Sequence, residues 1–224
     1  MWISLHIYNY KYEDFLAKLK ILEDKYQKND IYYFFTIYSD ISGPHYRLRI
    51  KNKSNISFIN SLFGLKNIEE NIYDPEILKY KNNLRSYEDI SVYFCKYLVR
   101  NYDYIIKQKS IFCLALASFL NNYLGTNSII HYERAIKFWK NSFSLFSKQF
   151  FLEGNINQLV KNVEESHIVF FKDLKKMLRT FSLENREELA FHLTHMFINR
   201  MNFTPKDEIY IYATLIKWEE NLNE

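Results

Sequence analysis

The stretch DIYYFFTIYSDISGPHYRLRIK, residues 30 to 51, decides the fold. Its first ten residues are rich in aromatic and β-branched side chains, the composition that suits a pleated, half-buried surface. Gly43 and Pro44 then supply turn chemistry, and HYRLRIK alternates as a second strand. On that second strand a period of two sends Tyr46, Leu48 and Ile50 to one face, and His45, Arg47 and Arg49 to the other.

On the N-terminal side, WISLHIY (2 to 8) alternates like a strand. KYEDFLAKLKILEDKYQ (11 to 27) places Phe15, Leu19, Leu22 and Tyr26 at helical spacing. On the C-terminal side, NISFINSLFG (55 to 64) reads as a short helix ending at Gly64, with Ser54 or Asn55 as its cap. KNIEENIYD (66 to 74) restores alternation. The order is βαββαβ, that of a ferredoxin-like antiparallel sheet with two helices on one face.

From Ser86 onward the pattern is helical. SYEDISVYFCKYLVRNYDYII (86 to 106) opens with the capping-box spacing Ser86 to Asp89. KSIFCLALASFLNNYLG (109 to 125) is apolar nearly all round, so it is expected to be the most buried helix, ending at Gly125. Segments near 129 to 151 and 155 to 180 follow, then LENREELAFHLTHMFINRMNF (183 to 203) and a closing helix from Pro205. The fold class expected is α+β: a ferredoxin-like βαββαβ sheet in residues 1–80, then a predominantly helical C-terminal half in residues 86–224. No linker or repeat divides the chain, which reads as one domain over 1–224.

Composition bounds function without naming it. Of 224 residues, 48% are hydrophobic and 25% charged, so the chain buries a core and is not disordered. A formal charge of +4 is too small and too dispersed to argue for direct nucleic-acid binding. Cys95 and Cys113 stand on separate helical segments without metal-ligand spacing, which gives neither a disulfide framework nor a zinc site and fits a reducing cytoplasm. No cleavable signal opens the chain. Its most apolar run, residues 110 to 124, falls short of the ~18 apolar residues that a membrane span needs.

Three stretches carry chemistry. His45, Arg47 and Arg49 concentrate cationic and hydrogen-bonding groups on one strand face, and a guanidinium grips a carboxylate through two parallel bonds. The bland alternative for these residues is a solvated face of an antiparallel sheet. In AFHLTHMFINR, His192 and His195 are three apart, Asn199 is one turn beyond His195, and Arg200 lies near the same stripe. No third ligand accompanies the histidines, so an acid–base role near neutral pH fits His195 better than a metal. YDPEILKY (73 to 80) leaves the last strand through Pro75 and presents Glu76 and Lys79, as a capped helix start would. No phosphate-cradling glycine loop, G-x-G-x-x-G or local nucleophile signature is present.

Taken in order, WISLHIY, YFFTIYSDISGPHYRLRI, YDPEILKY and HLTHMFINRM resemble the landmarks of the C-terminal, or small, domain of lantibiotic dehydratases. That domain also occurs as a stand-alone thiopeptide-type bacteriocin biosynthesis protein. The sharpest pieces are G-P-H-x-R-L-R and H-M-x-x-N-R. The resemblance implies β-elimination of glutamate from glutamylated Ser or Thr of a ribosomally made precursor peptide, leaving dehydroalanine or dehydrobutyrine. It also implies a separate glutamyl-tRNA-dependent glutamylating protein as partner, and no cofactor or metal.

By the same resemblance Arg47 and Arg49 match the family's arginine pair and His195 its histidine. Lys79 stands where arginine is usual, and these four are the expected catalytic residues. His45, Glu76, Asn199 and Arg200 are expected to contact the precursor's leader or core, and a homodimer is left open. Ile37 and the KYKN stretch depart from the family pattern. Two other readings therefore stand beside elimination: a pyridine synthase that joins two dehydroalanines by a formal [4+2] cycloaddition with leader release, and a non-catalytic scaffold that binds the leader.

Overall fold

The computed structural model describes residues 2–26, 31–41, 43–51, 56–75, 77–143 and 155–223. The chain forms two compact units, Met1–Tyr102 and Asp103–Glu224. Glu76 and the caps expected at Ser54 or Asn55 lie outside the described residues.

The first unit carries four strands, β1 (Ile3–Ile7), β2 (Tyr33–Asp40), β3 (Gly43–Ile50) and β4 (Ile68–Asn71), in the order β2-β3-β1-β4. Every neighbouring pair is antiparallel. With α1 (Tyr12–Lys25) and α2 (Ile56–Phe63) between strands, this is the expected βαββαβ arrangement. Alternation does what the sequence required of it. Ile3, Leu5, Ile7, Phe35, Leu48 and Ile50 are buried on one face, where Phe15 of α1 stacks on Tyr46 at 3.9 Å and meets Phe35 and Phe63 edge-on or tilted.

A polar knot fixes α1 to that sheet. The buried Glu23 carboxylate accepts from Tyr33 Oη at 2.7 Å and from Arg100 Nε at 2.7 Å, so both oxygens are engaged. An unpaired carboxylate here would cost several kcal/mol, which makes the arrangement all-or-none.

Three local expectations change. β2 and β3 pair out to Asp40 and Gly43, so Gly43 and Pro44 lie inside the ladder and do not form the turn. Gly43 has φ 96, a value side-chain-bearing residues avoid, and Pro44 sits near the strand start, where a missing N–H is tolerated. A one-turn helix α3 (Ile77–Tyr80) and a 3₁₀ turn run directly into α4 (Leu84–Ile105), so Ser86 is already inside the helix and is not its cap. The stacking of Tyr80 on Tyr87 at 3.7 Å brings the turn against the helix.

In the second unit α5 (Lys109–Leu124) is the apolar helix, with Phe112 through Ala117, Leu120 and Leu124 buried. It ends at Gly125 in the left-handed conformation, where Gly125 and Thr126 N–H groups donate back to Asn122 and Asn121 carbonyls. Around it stand α6 (Ser128–Phe143), α7 (Ile156–Ser166), α8 (Ile168–Leu178), α9 (Arg186–Arg200) and α10 (Pro205–Asn223). The segment read as one helix over 155 to 180 is two, broken at His167. The His167 ring is buried against Phe112 and Tyr104 and its Nε2 meets Gln108 Nε2 at 3.1 Å, so tertiary contacts pull the backbone out of helical geometry. Thr204 and Asp207 form a reciprocal capping box ahead of α10, with Pro205 in its first turn. Among the described residues no helix is long and apolar enough to cross a membrane.

Candidate functional site

The second face of the sheet is assembled by register. Ser4 lies opposite Arg49 and His6 opposite Arg47 across β1 and β3; Thr36 and Tyr38 of β2 lie opposite Arg47 and His45. His6 also faces Glu69 of β4. This face is not the solvated surface that the bland reading offered: Ser4, His6, His45 and Arg49 are all buried.

The two arginines are held differently. Arg49 is 8% exposed and donates through Nη1 to the Arg47 carbonyl at 2.7 Å and to Thr36 Oγ1 at 3.3 Å, which builds its guanidinium into the sheet. Arg47 is partly exposed. Its Nε donates to His45 Nε2 at 3.4 Å, and its guanidinium carbon lies 3.4 Å from the centre of the Tyr38 ring. Among the described residues the two Nη atoms of Arg47 make no hydrogen bond or ion pair. Sequence spacing treats the pair as equivalent; the structure makes Arg49 a fixed charge and Arg47 a guanidinium with its outer edge open.

Two imidazoles line the same face. His45 is 2% exposed, its Nδ1 lies 3.0 Å from the Gly43 carbonyl, and its ring stacks on His6 at 4.8 Å. Its Nε2 faces Arg47 Nε at 3.4 Å and Asp40 Oδ2 at 3.9 Å, so the ring is held from both nitrogens. His6 is pushed down to about 4 by burial, and then by His45, Arg47 and Arg49, against a smaller opposing pull from Glu69. It is therefore neutral at pH 7. Tyr8, whose hydroxyl donates to Glu69 at 3.3 Å, is shifted upward by burial and by that carboxylate.

In the second unit the polar ridge expected on α9 divides. His195 Nδ1 lies 2.8 Å from Glu208 Oε2 of α10, and Tyr212 Oη donates to the other carboxylate oxygen at 2.8 Å. Glu208 is 1% exposed, whereas His195 keeps part of its ring accessible beside Trp139 and Phe191. This is the arrangement of a histidine oriented by a buried carboxylate. His192 points to Glu188 at 3.6 Å. Asn199 is partly exposed, while Arg200 is fully buried and near the Phe197 ring, so it does not lie on an accessible ridge with His195. Lys79 is exposed on α3.

Sequence reasoning missed His6, Thr36, Tyr38, Glu208 and Tyr212. A signal for Glu208 was present: it shares a helical stripe with Ile211, Tyr212 and Leu215, all buried, so a carboxylate stands on the core side of α10. His6 was likewise placed by alternation, once β1 was paired with β3.

The family described as lantibiotic biosynthesis dehydratase C-term matches residues 2–218, and the chain belongs to that family. Membership supports a role in modified-peptide biosynthesis. Among solved structures, the tRNA-dependent lantibiotic dehydratase MibB from Microbispora sp. 107891 superposes with a TM-score of 0.63 at 16% identity, over 99% of this chain. This chain spans only 28% of MibB. TbtD, a pyridine synthase from thiomuracin biosynthesis, aligns over 99% of this chain and 98% of its own, at 11% identity and a TM-score of 0.47. No protein of curated function matches the chain in sequence.

Proposed function

We propose that the protein eliminates glutamate from O-glutamylated Ser or Thr of a precursor peptide. The observation that carries the reading is the open Nη edge of Arg47 beside the buried Arg49 charge. In the reaction a base removes the α-proton, the Cα–Cβ double bond forms, the Cβ–O bond breaks and glutamate departs as a carboxylate. Negative charge grows on both the enolate-like carbonyl and the leaving group. Two guanidiniums on a largely desolvated face would stabilise that charge far more than exposed ones.

For proton transfer we assign His195, held through Nδ1 by Glu208. Lys79 would act as a point charge and not as a fork. On this reading the protein works in the cytoplasm beside a separate glutamylating protein, with no cofactor of its own. Leader contacts fall to accessible groups such as Asn199.

Mass spectrometry of a glutamylated precursor peptide incubated with the purified protein tests the assignment. Loss of glutamic acid with gain of dehydroamino acids supports it. An unchanged glutamylated peptide, with leader release from a dehydroalanine-containing one, moves the assignment to cycloaddition; binding of both without turnover makes the protein a scaffold.

A further inference from the structure

We infer that His45 is a positioning residue for Arg47 and does not itself touch the substrate. The inference deepens the elimination reading and rests on it for its kinetic arm. His45 is too buried to meet a peptide, and both ring nitrogens are already engaged, one with the Gly43 carbonyl and one with Arg47 Nε. Its ring is clamped by His6 at 4.8 Å, Tyr8 at 4.9 Å and Tyr38 at 5.7 Å.

The consequence falls on the guanidinium. An arginine side chain has four rotatable bonds before its planar end, and an unrestrained one samples many directions. Here the plane is set by the Tyr38 ring and the rotation within that plane by the bond from Nε to His45. Together they aim the two Nη atoms as a fork, the geometry a carboxylate accepts through two parallel bonds. A phenyl ring in place of the imidazole would keep the packing and remove the acceptor. A glutamine would return an acceptor oxygen near the same place.

The test compares H45F and H45Q with the wild type by two readouts. The first is the ¹⁵N–¹H signal of the Arg47 side-chain Nε–H, identified by its disappearance in R47K. The signal should be protected from solvent exchange in the wild type and in H45Q, and broadened or lost in H45F, with thermal unfolding confirming that each variant is folded. The second is turnover of a short peptide carrying one O-glutamylated serine. H45F should lose roughly 10- to 100-fold in kcat/KM, the scale of a misplaced charged group, and H45Q markedly less.

An Arg47 signal that is the same in all three proteins overturns the inference, as does an equal kinetic loss in H45F and H45Q. If the wild type leaves the glutamylated peptide intact, the elimination reading fails, and the Nε–H comparison still decides whether His45 orients Arg47.

Discussion

His195 and Glu208 come from successive helices, α9 and α10, and meet at 2.8 Å with the carboxylate almost wholly removed from solvent. Tyr212 closes the other side of that carboxylate. The ring is thus fixed in direction, with Nδ1 turned to the carboxylate.

Glu208→Gln tests this arrangement. The amide keeps the shape but presents either a donor or a weaker acceptor to Nδ1, which favours the wrong tautomer. Turnover of a glutamylated peptide should fall roughly 10²- to 10⁴-fold, in line with analogous changes at histidine–carboxylate pairs, while Tm changes little. His195→Ala should let the glutamylated peptide accumulate in a folded protein. Full turnover in both variants would remove His195 from the mechanism.

The unequal arginines predict unequal variants. Arg47→Ala removes a partly exposed side chain and one weak bond to His45, so it should cost about 1 kcal/mol of stability while abolishing elimination. Arg49→Ala empties a buried position and strips Thr36 and the Arg47 carbonyl of their donor, costing about 2–4 kcal/mol. Urea unfolding of the two variants, paired with mass spectrometry of the peptide product, separates these outcomes.

Stability should fall in mild acid because burial resists protonation of histidines, His6 and His131 most of all. Burial is the main cause in each, and both His6 and His131 are pushed down to about 4. Above pH 6.5 neither the folded nor the unfolded chain protonates them, and their contribution is complete. Between pH 6.5 and about 4 the unfolded chain takes up protons that the folded one refuses, so stability is lost, by an amount on the order of 3 kcal/mol for each. His131→Phe should flatten part of that slope in urea titrations run from pH 7.5 to pH 4.5.

Glu23 offers a purely structural check. Glu23→Ala takes the acceptor from the buried Tyr33 hydroxyl and one ion-pair partner from Arg100, so about 2 kcal/mol should be lost with the urea m-value unchanged. A double change that also replaces Arg100 by Leu should recover part of the loss, which a measured double-mutant cycle would show.

Much of the fold was legible in advance because period and composition agreed. The hairpin, the β-α-β-β-α-β order and the helical second half follow from alternation in HYRLRIK, helical spacing in α1 and the apolar surface of α5. What misled were local signals with a competing tertiary partner. The Ser86 capping pattern lost to a turn packed by Tyr80 and Tyr87, and the helix over 155 to 180 broke where His167 found Gln108 and two aromatic rings. Of the candidate site, alternation placed His45, Arg47 and Arg49 together, but it could not tell the buried Arg49 from the partly exposed Arg47.

By itself the sequence determined which residues share a face, because side-chain direction in a strand or helix depends only on position along the chain. It also carried the family landmarks that span nearly the whole length. Only the tertiary structure decided that His45 is held between the Gly43 carbonyl and Arg47 Nε, that Arg47 keeps an open edge while Arg49 does not, that Arg200 turns inward, and that Glu208 meets His195. Some of those partners are only two residues apart on one strand, as His45 and Arg47 are, and others stand on successive helices, as His195 and Glu208 do; in both cases a hydrogen bond's existence and direction depend on distance and angle that no spacing rule encodes.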